Sequence, residues 1–308
     1  YPDSYPDLML YDYDKPIEIL TDQSELTMEL TRKSITFIEK NKDNPFFLYL
    51  AHPQPHVPLF ASSKFKGRSD HGLYTDVIEE IDHSLGLIME TLKKNNLDKN
   101  TVVVFTSDNG PWLSYGGHAG STGIYREGKG TTWEGGQRVP CIVWYPNEIK
   151  PNSVVKTPLM GIDWLPTFAK ITNASLSENK IDGKNIWENL TGKTDSDPHE
   201  ALFFYYHKNS LHGVRHGDYK MYFPHRYRTL NGRTGRDDGS PIKYEYVNLL
   251  ENELYNLKTD PSETINIINE FPVIAKKIIA LADSKRKEIG DDLTNVIGIE
   301  NREVGMID

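Results

Sequence analysis

Three short apolar runs constrain this chain more than any other feature: PFFLYLA at 45–51, the opening of TVVVFTSDNG at 101–110, and VPCIVWYP at 139–146. Each is too short for a helix of its own and apolar at consecutive positions, the pattern of a strand covered on both faces. Segments with helical spacing surround them. Residues 22–41 open with Asp22 or Ser24 as a cap, carry Leu26, Leu30, Ile35 and Ile38 near helical spacing, and end at Asn44-Pro45. Residues 73–96 place Val77, Ile81, Leu85, Ile88 and Leu92 on one side. Strand, helix, strand with connections of this length predicts an α/β fold, a parallel sheet flanked by helices. Ligands of such sheets sit beyond the carboxyl ends of the strands. HPQPHVP follows the first run, SDNG ends the second, and a glycine-rich segment leads toward the third.

Further along, GIDWLPTFAKIT at 161–172 reads as a helix and the polar stretch TGKTDSDPHE at 191–200 as a linker. The texture then changes to the short strand-like pieces ALFFYY, LHGVRHG, YKMYFP and NELYNL, followed by an amphipathic helix at about 272–289. This predicts a smaller antiparallel sheet with one helix, and a division of the chain into residues 1–196 and 197–308. With 308 residues and 37% hydrophobic content the chain can bury a sizeable core. Its formal net charge of -9 excludes a broad nucleic-acid or anionic-membrane surface, but not a small anionic substrate held by a few local cations. The single cysteine, Cys141, excludes an intrachain disulfide and reads as a small buried hydrophobe. No apolar run reaches eighteen residues, and the start YPDSYPDLMLYDYDKP has neither part of a signal peptide, so the chain reads as a piece of a longer precursor.

The segment 106–140 carries the chemistry. It holds adjacent Asp108 and Asn109, nine glycines, and Lys129 with a glycine on either side. A carboxylate beside an amide carbonyl offers two hard oxygens of the kind calcium or magnesium takes, although Asp-Asn-Gly also makes an ordinary turn. Lys129 departs from the phosphate-loop pattern because Gly130 stands where Ser or Thr is required, which leaves a point charge for a tetrahedral anion or a solvated loop lysine. His52 and His56 lie in HPQPHVPLF, where prolines stiffen the backbone and exclude the helix that a zinc pair at this spacing needs. A rigid loop suits a catalytic imidazole, and a surface histidine fits as well.

Taken together, FFLYLAHPQPHVP, VVVFTSDNGP, GKGTTWEGGQRVP, IDWLPTFA, GVRHGDYKM and LYNLKTDPSETINI resemble successive blocks of the sulfatases of the arylsulfatase A and galactosamine-6-sulfatase type, in the alkaline phosphatase superfamily. The resemblance runs over nearly the whole chain. It implies an alkaline-phosphatase-like sheet flanked by helices, incomplete at the N-terminus, with the smaller C-terminal sheet and helix behind it. It implies hydrolysis of a sulfate ester on a sulfated sugar. Asp108 and Asn109 would be two ligands of an active-site Ca2+, Lys129 would bind the sulfate, and His56 would contact the sulfate or the leaving oxygen. His118 in GGHAG and His225 in FPHRYR would face the sugar or pack within the fold.

The family's nucleophile, a formylglycine made within C/S-x-P/A-x-R, has no counterpart here, and neither do its paired N-terminal aspartates or its G-K-W-H block. All three belong before residue 1, so a partner segment or chain carrying them is expected, and the isolated chain is expected to be inactive. A phosphodiesterase or phosphonate hydrolase of the same superfamily, or a non-catalytic binder of sulfated glycans, are the other readings. The resemblance implies a periplasmic or secreted protein, lysosomal in a eukaryote. Asn173 and Asn189 match the glycosylation pattern, a motif short enough to arise by chance.

Overall fold

A computed structural model describes residues 8–301. They form two compact units: the chain up to Thr101 with Ser114–Gly120 and Thr234–Ile242, and Val102–Leu113 with Ser121–Arg233 and the chain from Lys243 onward.

The first unit opens with an unanticipated antiparallel hairpin of β1 (Met9–Asp12) and β2 (Lys15–Ile19). Helices α1 (Leu26–Asn41) and α2 (Leu73–Lys94) follow where the spacing predicts them. Asp22 does not cap α1. Its carboxylate accepts from the Ser24 amide at 2.9 Å and hydroxyl at 2.6 Å, a turn that precedes the helix. Leu26 and Ile38 of α1 and Val77, Ile81, Ile88 and Leu92 of α2 are buried, each worth on the order of 1.5–3 kcal/mol. Between the helices, the Thr31 hydroxyl meets the Ser84 hydroxyl at 2.6 Å. Two buried carboxylates of α2 hold the preceding loop: Asp76 accepts from the amides of Gly67 (2.8 Å) and Ser69 (2.7 Å), and Glu80 from that of Ser62 (2.9 Å).

The run at 45–51 corrects an expectation. It forms no strand here, and its exposure alternates, with Phe47 70% and Tyr49 82% exposed while Phe46, Leu48 and Leu50 are half-buried. A strand exists through a ladder of backbone pairs with a neighbour, and among the described residues no such ladder forms at 45–51.

In the second unit, β3 (Val103–Thr106), the single-turn helix α3 (Glu134–Gln137) and β4 (Cys141–Trp144) come in order. Strands β3 and β4 pair antiparallel, Val103 opposite Trp144 and Thr106 opposite Cys141, not parallel as expected. Parallel neighbours need a crossover to the far end of the sheet. Here the connection folds back on itself, with the Gly110 amide donating to the Gly136 carbonyl at 3.0 Å, and enters β4 at the end where β3 stops. The Cys141 reading is corrected as well: the residue lies opposite Thr106 at the end of the pair joined by the loop, and is exposed. Val143 faces inward instead, against a cluster of Ile186, Trp187 and Leu190 that also takes in Trp164.

Helix α4 (Trp164–Thr172) is entered through a tight turn at Gly161–Asp163, and α5 (Trp187–Leu190) follows. The fully buried Asp163 ties this region together, accepting from the amides of Met160 and Lys184 and from His199 Nε2, each at 2.8 Å. The C-terminal sheet matches the expectation. It contains β5 (Leu202–Tyr206), β6 (Ser210–His216) and β7 (Tyr219–Tyr222). Strands β8 (His225–Thr229) and β9 (Glu245–Leu249) make a separate antiparallel pair, and β10 (Glu253–Asn256) completes the four-stranded order β10-β7-β6-β5. Helix α6 (Pro272–Ile289) covers that sheet, with Ala275, Ile278 and Ala282 packed against Leu211, Val214, Met221 and Leu254. Among the described residues no helix is long and apolar enough to cross a membrane.

Candidate functional site

The glycines of 106–140 serve backbone packing first. A Cβ on Gly110 would collide with the Gly135 carbonyl oxygen, so the two loop limbs approach as closely as backbones can. Amide-to-carbonyl bonds then lock the limbs together: Lys129 to Pro111 at 2.9 Å and Gly135 to Arg126 at 2.9 Å. Lys129 is therefore held next to the segment that begins with Asp108 and Asn109.

The Lys129 carbonyl accepts from Arg228 Nε at 3.1 Å and from Arg228 Nη2. Gly130, at φ +86°, turns the chain immediately beyond, and any Cβ there would strike the same guanidinium. The Lys129 ammonium lies 5.1 Å from the centre of the Trp112 ring, and the Arg228 guanidinium 5.8 Å from it. Among the described residues Lys129 forms no ion pair with a carboxylate, and the Trp112 ring is the neighbour its ammonium faces.

Trp133 and Glu134, from the same loop, fasten it to the C-terminal sheet. Lys220 of β7, fully buried, donates to the Thr132 carbonyl and to Glu134 Oε1, both at 2.8 Å, and lies 3.8 Å from Glu263 Oε1. Glu263 in turn accepts from the Tyr222 hydroxyl at 2.5 Å and the Glu134 amide at 2.8 Å. Trp133 packs on Tyr222 with ring centres 3.9 Å apart and the planes tilted by 36°, and the Arg126 guanidinium lies 3.6 Å from the Trp133 ring centre. Burial pushes both carboxyl groups up. At Glu134, Lys220 backed by Arg215 and Arg138 outweighs burial and holds the group below the usual range, whereas Glu263 stays above it. These residues support the loop from behind. Sequence reading missed them, although a lysine inside a strand of buried residues, YKMY, signals a buried carboxylate partner.

Asp108 follows the end of β3 and is exposed, while Asn109 is half-buried. Asn109 Nδ2 donates to the Gly110 carbonyl at 3.0 Å, which leaves Oδ1 as the oxygen available to a ligand. Among the described residues no group of three or more His, Cys, Asp or Glu is arranged to hold a metal. Two adjacent hard oxygens fit calcium chemically and supply part of the six to eight it takes.

His56 and His118 belong to the first unit; Asp108, Asn109, Lys129 and His225 belong to the second. His56 is exposed on its loop, with Nδ1 2.7 Å from the Val57 carbonyl. A carbonyl only accepts, so Nδ1 is the donor in that contact. The loop is shaped by buried Gln54, whose Oε1 accepts from the Phe60 amide at 3.3 Å. Half-buried His52 packs on α2, Nε2 3.2 Å from the Ser84 hydroxyl, and burial lowers its pKa. His118 is half-buried, and Gly239 passes so close that a Cβ there would lie 2.9 Å from His118 Nδ1. His225 is buried on β8, its Nδ1 donating to the Phe223 carbonyl at 2.6 Å and its ring stacked on His212 at 3.9 Å. Burial pushes the His225 pKa down, and burial with the neighbouring His225 and His207 takes His212 to about 3, so both rings are neutral near pH 7. A cleft of about 540 Å³ elsewhere in the second unit, lined by Lys156, Pro158, Asp195, Arg215 and Asp218, contains none of the candidate residues.

Residues 3–174 match the family model described as Sulfatase, and residues 197–302 the one described as the C-terminal region of aryl-sulfatase. Steryl-sulfatase of Rattus norvegicus is 40% identical over 191 residues, 60% of this chain and 33% of that protein. Arylsulfatase A of Homo sapiens is 34% identical over 236 residues, 74% of this chain and 45% of its own length. A solved structure of a protein concerned with the metabolism of multiple glycosaminoglycans by Bacteroides thetaiotaomicron superposes with a TM-score of 0.72 at 29% identity, over 87% of this chain and 55% of that one. The chain thus spans between 33% and 45% of the length of these two curated relatives. The expected alkaline-phosphatase-like fold, with its smaller C-terminal sheet, is the one shared with these structures.

Proposed function

The chain belongs to the sulfatase family, and from that premise we propose that it hydrolyses the sulfate ester of a sulfated sugar together with a segment, outside these 308 residues, that carries the nucleophile. Residues 1–196 would form the catalytic side and 197–308 the supporting subdomain. One observation carries the reading: Lys129, without a carboxylate partner among the described residues, is fixed at its carbonyl by Arg228 and at its amide by Pro111, two residues along the chain from Asn109. A lysine held at both backbone groups is preorganised, and a preorganised cation stabilises charge developing on sulfuryl oxygens more than a mobile one does.

Asp108 and Asn109 would hold Ca2+ with further oxygens from the missing segment. When bound, the ion supplies positive charge to the transferring group. A formylglycine on that segment would supply the nucleophile. This chain's own residues would do the rest. Lys129 Nζ would bind a sulfate oxygen, and His56 would contact the sulfate or the leaving oxygen, as the doubly protonated imidazolium giving its Nε2 proton to the departing alkoxide and keeping the one on Nδ1. Of the exposed apolar residues, Phe47 and Tyr49 in the first unit and Ile142 in the second are surfaces such a segment would cover. Location outside the cytoplasm, periplasmic or secreted, or lysosomal in a eukaryote, is part of the same proposal.

The test uses the protein completed with its nucleophile-bearing segment. Lys129→Ala should lower kcat on 4-nitrophenyl sulfate roughly 10²- to 10³-fold with an unchanged circular dichroism spectrum. Near-normal turnover returns Lys129 to an ordinary loop lysine. Faster hydrolysis of 4-nitrophenyl phosphate esters by the wild type indicates a phosphodiesterase or phosphonate hydrolase, and glycan binding without hydrolysis indicates a binding protein.

A further inference from the structure

The geometry points to a second anion subsite on the outward face of the β8–β9 hairpin, next to Lys129, that takes an acidic group on the neighbouring ring of a sulfated sugar chain. The inference rests on the sulfatase reading of Lys129 and names what lies beyond the scissile sulfate.

The register sets the face. Arg226 stands opposite Asn248 and Arg228 opposite Tyr246, and residues directly opposite in an antiparallel pair share a side. His225 and Thr229 are buried on the other side, so Arg226 and Arg228 share the opposite face, Arg226 exposed and Arg228 half-buried against the Lys129 carbonyl. The Arg226 guanidinium lies 4.4 Å from the centre of the Tyr246 ring, and that of Arg228 lies 4.5 Å from Tyr244. Arg228 and Lys129 then share Trp112, at 5.8 and 5.1 Å from its ring centre. Arg226 thus sits on a tyrosine of its own, and its neighbour on the same face, Arg228, shares Trp112 with the lysine proposed to hold sulfate.

No carboxylate pairs with Arg226 or Arg228 among the described residues. The hairpin strands carry one acidic residue, Glu245, which lies opposite Thr229 and pairs with Arg233 at 3.2 Å. In a chain of net charge -9, two neighbouring arginines without counter-ions on one face stand out. Arg228 spends Nε and Nη2 on the Lys129 carbonyl, whereas Arg226, held against Tyr246, has no carboxylate partner among the described residues and can turn its donors to a carboxylate or sulfate. Tyr246, 59% exposed, offers a ring face to a sugar. Two residues along a strand advance about 6.8 Å, a step that suits substituents on adjacent rings of a sugar chain. A substrate with one sulfate on an otherwise apolar body would leave this face unused.

The test again uses the completed protein. Calorimetric Kd values are measured for a chondroitin sulfate tetrasaccharide and for its carboxyl-reduced form, and kcat/KM for 4-nitrophenyl sulfate. Arg226→Gln should weaken tetrasaccharide binding tenfold or more, the loss expected for one charge-assisted hydrogen bond, and leave kcat/KM on the aryl sulfate within twofold. Arg226→Lys should recover part of the affinity, and Tyr246→Ser should lose it. Carboxyl reduction that mimics Arg226→Gln assigns the subsite to a uronate; no effect of reduction assigns it to a second sulfate. Lys258→Gln, an exposed charge elsewhere, controls for net charge. The subsite is overturned if wild type does not bind the tetrasaccharide, if Arg226→Gln costs no more than Lys258→Gln, or if it impairs the aryl sulfate equally. Failure of the sulfatase reading shows separately, as unchanged aryl sulfate hydrolysis in Lys129→Ala.

Discussion

Lys220→Met would strike the joint between the Lys129 loop and the C-terminal sheet. In the wild type Lys220 is fully buried and neutralises Glu134, whose side chain is 4% exposed, and Glu263, whose side chain is wholly covered. Methionine fills most of the volume but leaves two carboxyl groups, with Arg215 at 4.0 Å and Arg138 at 3.9 Å as the remaining cations near Glu134. Removing one partner of a buried ion pair costs about 3–5 kcal/mol. At about 3 °C per kcal/mol for a unit of this size, the melting temperature should fall by roughly 10 °C. The cost should depend on pH. Without the lysine both carboxyl groups have folded pKa values above those of the unfolded chain, so the folded state binds the extra protons and stability falls as pH rises. Urea unfolding at pH 5 and pH 7.5 should show the smaller deficit at pH 5, and Glu134→Gln added to Lys220→Met should recover part of the loss at pH 7.5. A deficit below about 1 kcal/mol, or one that does not change with pH, would refute the view that this cluster is held by charge.

Two further predictions concern histidines. His56→Ala in the completed enzyme should reduce turnover of an alkyl sulfate, whose leaving oxygen needs a proton, by about 10²-fold and that of 4-nitrophenyl sulfate far less; equal losses would leave His56 a binding role only. His212, pushed down to about 3 in the fold, is protonated first in the unfolded chain as pH drops below 6.5, so it removes up to about 2 kcal/mol of stability by pH 5, and His212→Phe should flatten that part of the urea-unfolding pH profile.

Periodicity recovered the elements whose stability is local. Helices α2 and α6 begin within a residue of their expected positions, because one apolar stripe and the Pro272 start leave few alternatives. What sequence could not give was pairing at a distance. The run at 45–51 has strand composition but forms no strand among the described residues, and the antiparallel turn from β3 into β4 depends on Gly110 meeting Gly136 across the loop. Hairpin β8–β9 was invisible because HRYRT and EYVNL mix charge with aromatics, and the reason for that mixture is the outward face carrying Arg226 and Tyr246.

The candidate site divides in the same way. Lys129 was legible because its flanking glycines have no use in a helix or strand, yet their use turned out to be the approach of backbone to backbone and to Arg228. Arg228 lies 99 positions from Lys129 and Lys220 lies 86 from Glu134, so no local pattern announces either contact. Both were implied all the same by a general rule: a buried lysine in YKMY must meet a carboxylate, and an arginine beside aromatic residues must find acceptors or an anion. Applied to Arg228, that rule leads to the Lys129 carbonyl. Applied to Arg226, for which the described residues provide no carboxylate, it leads to a ligand.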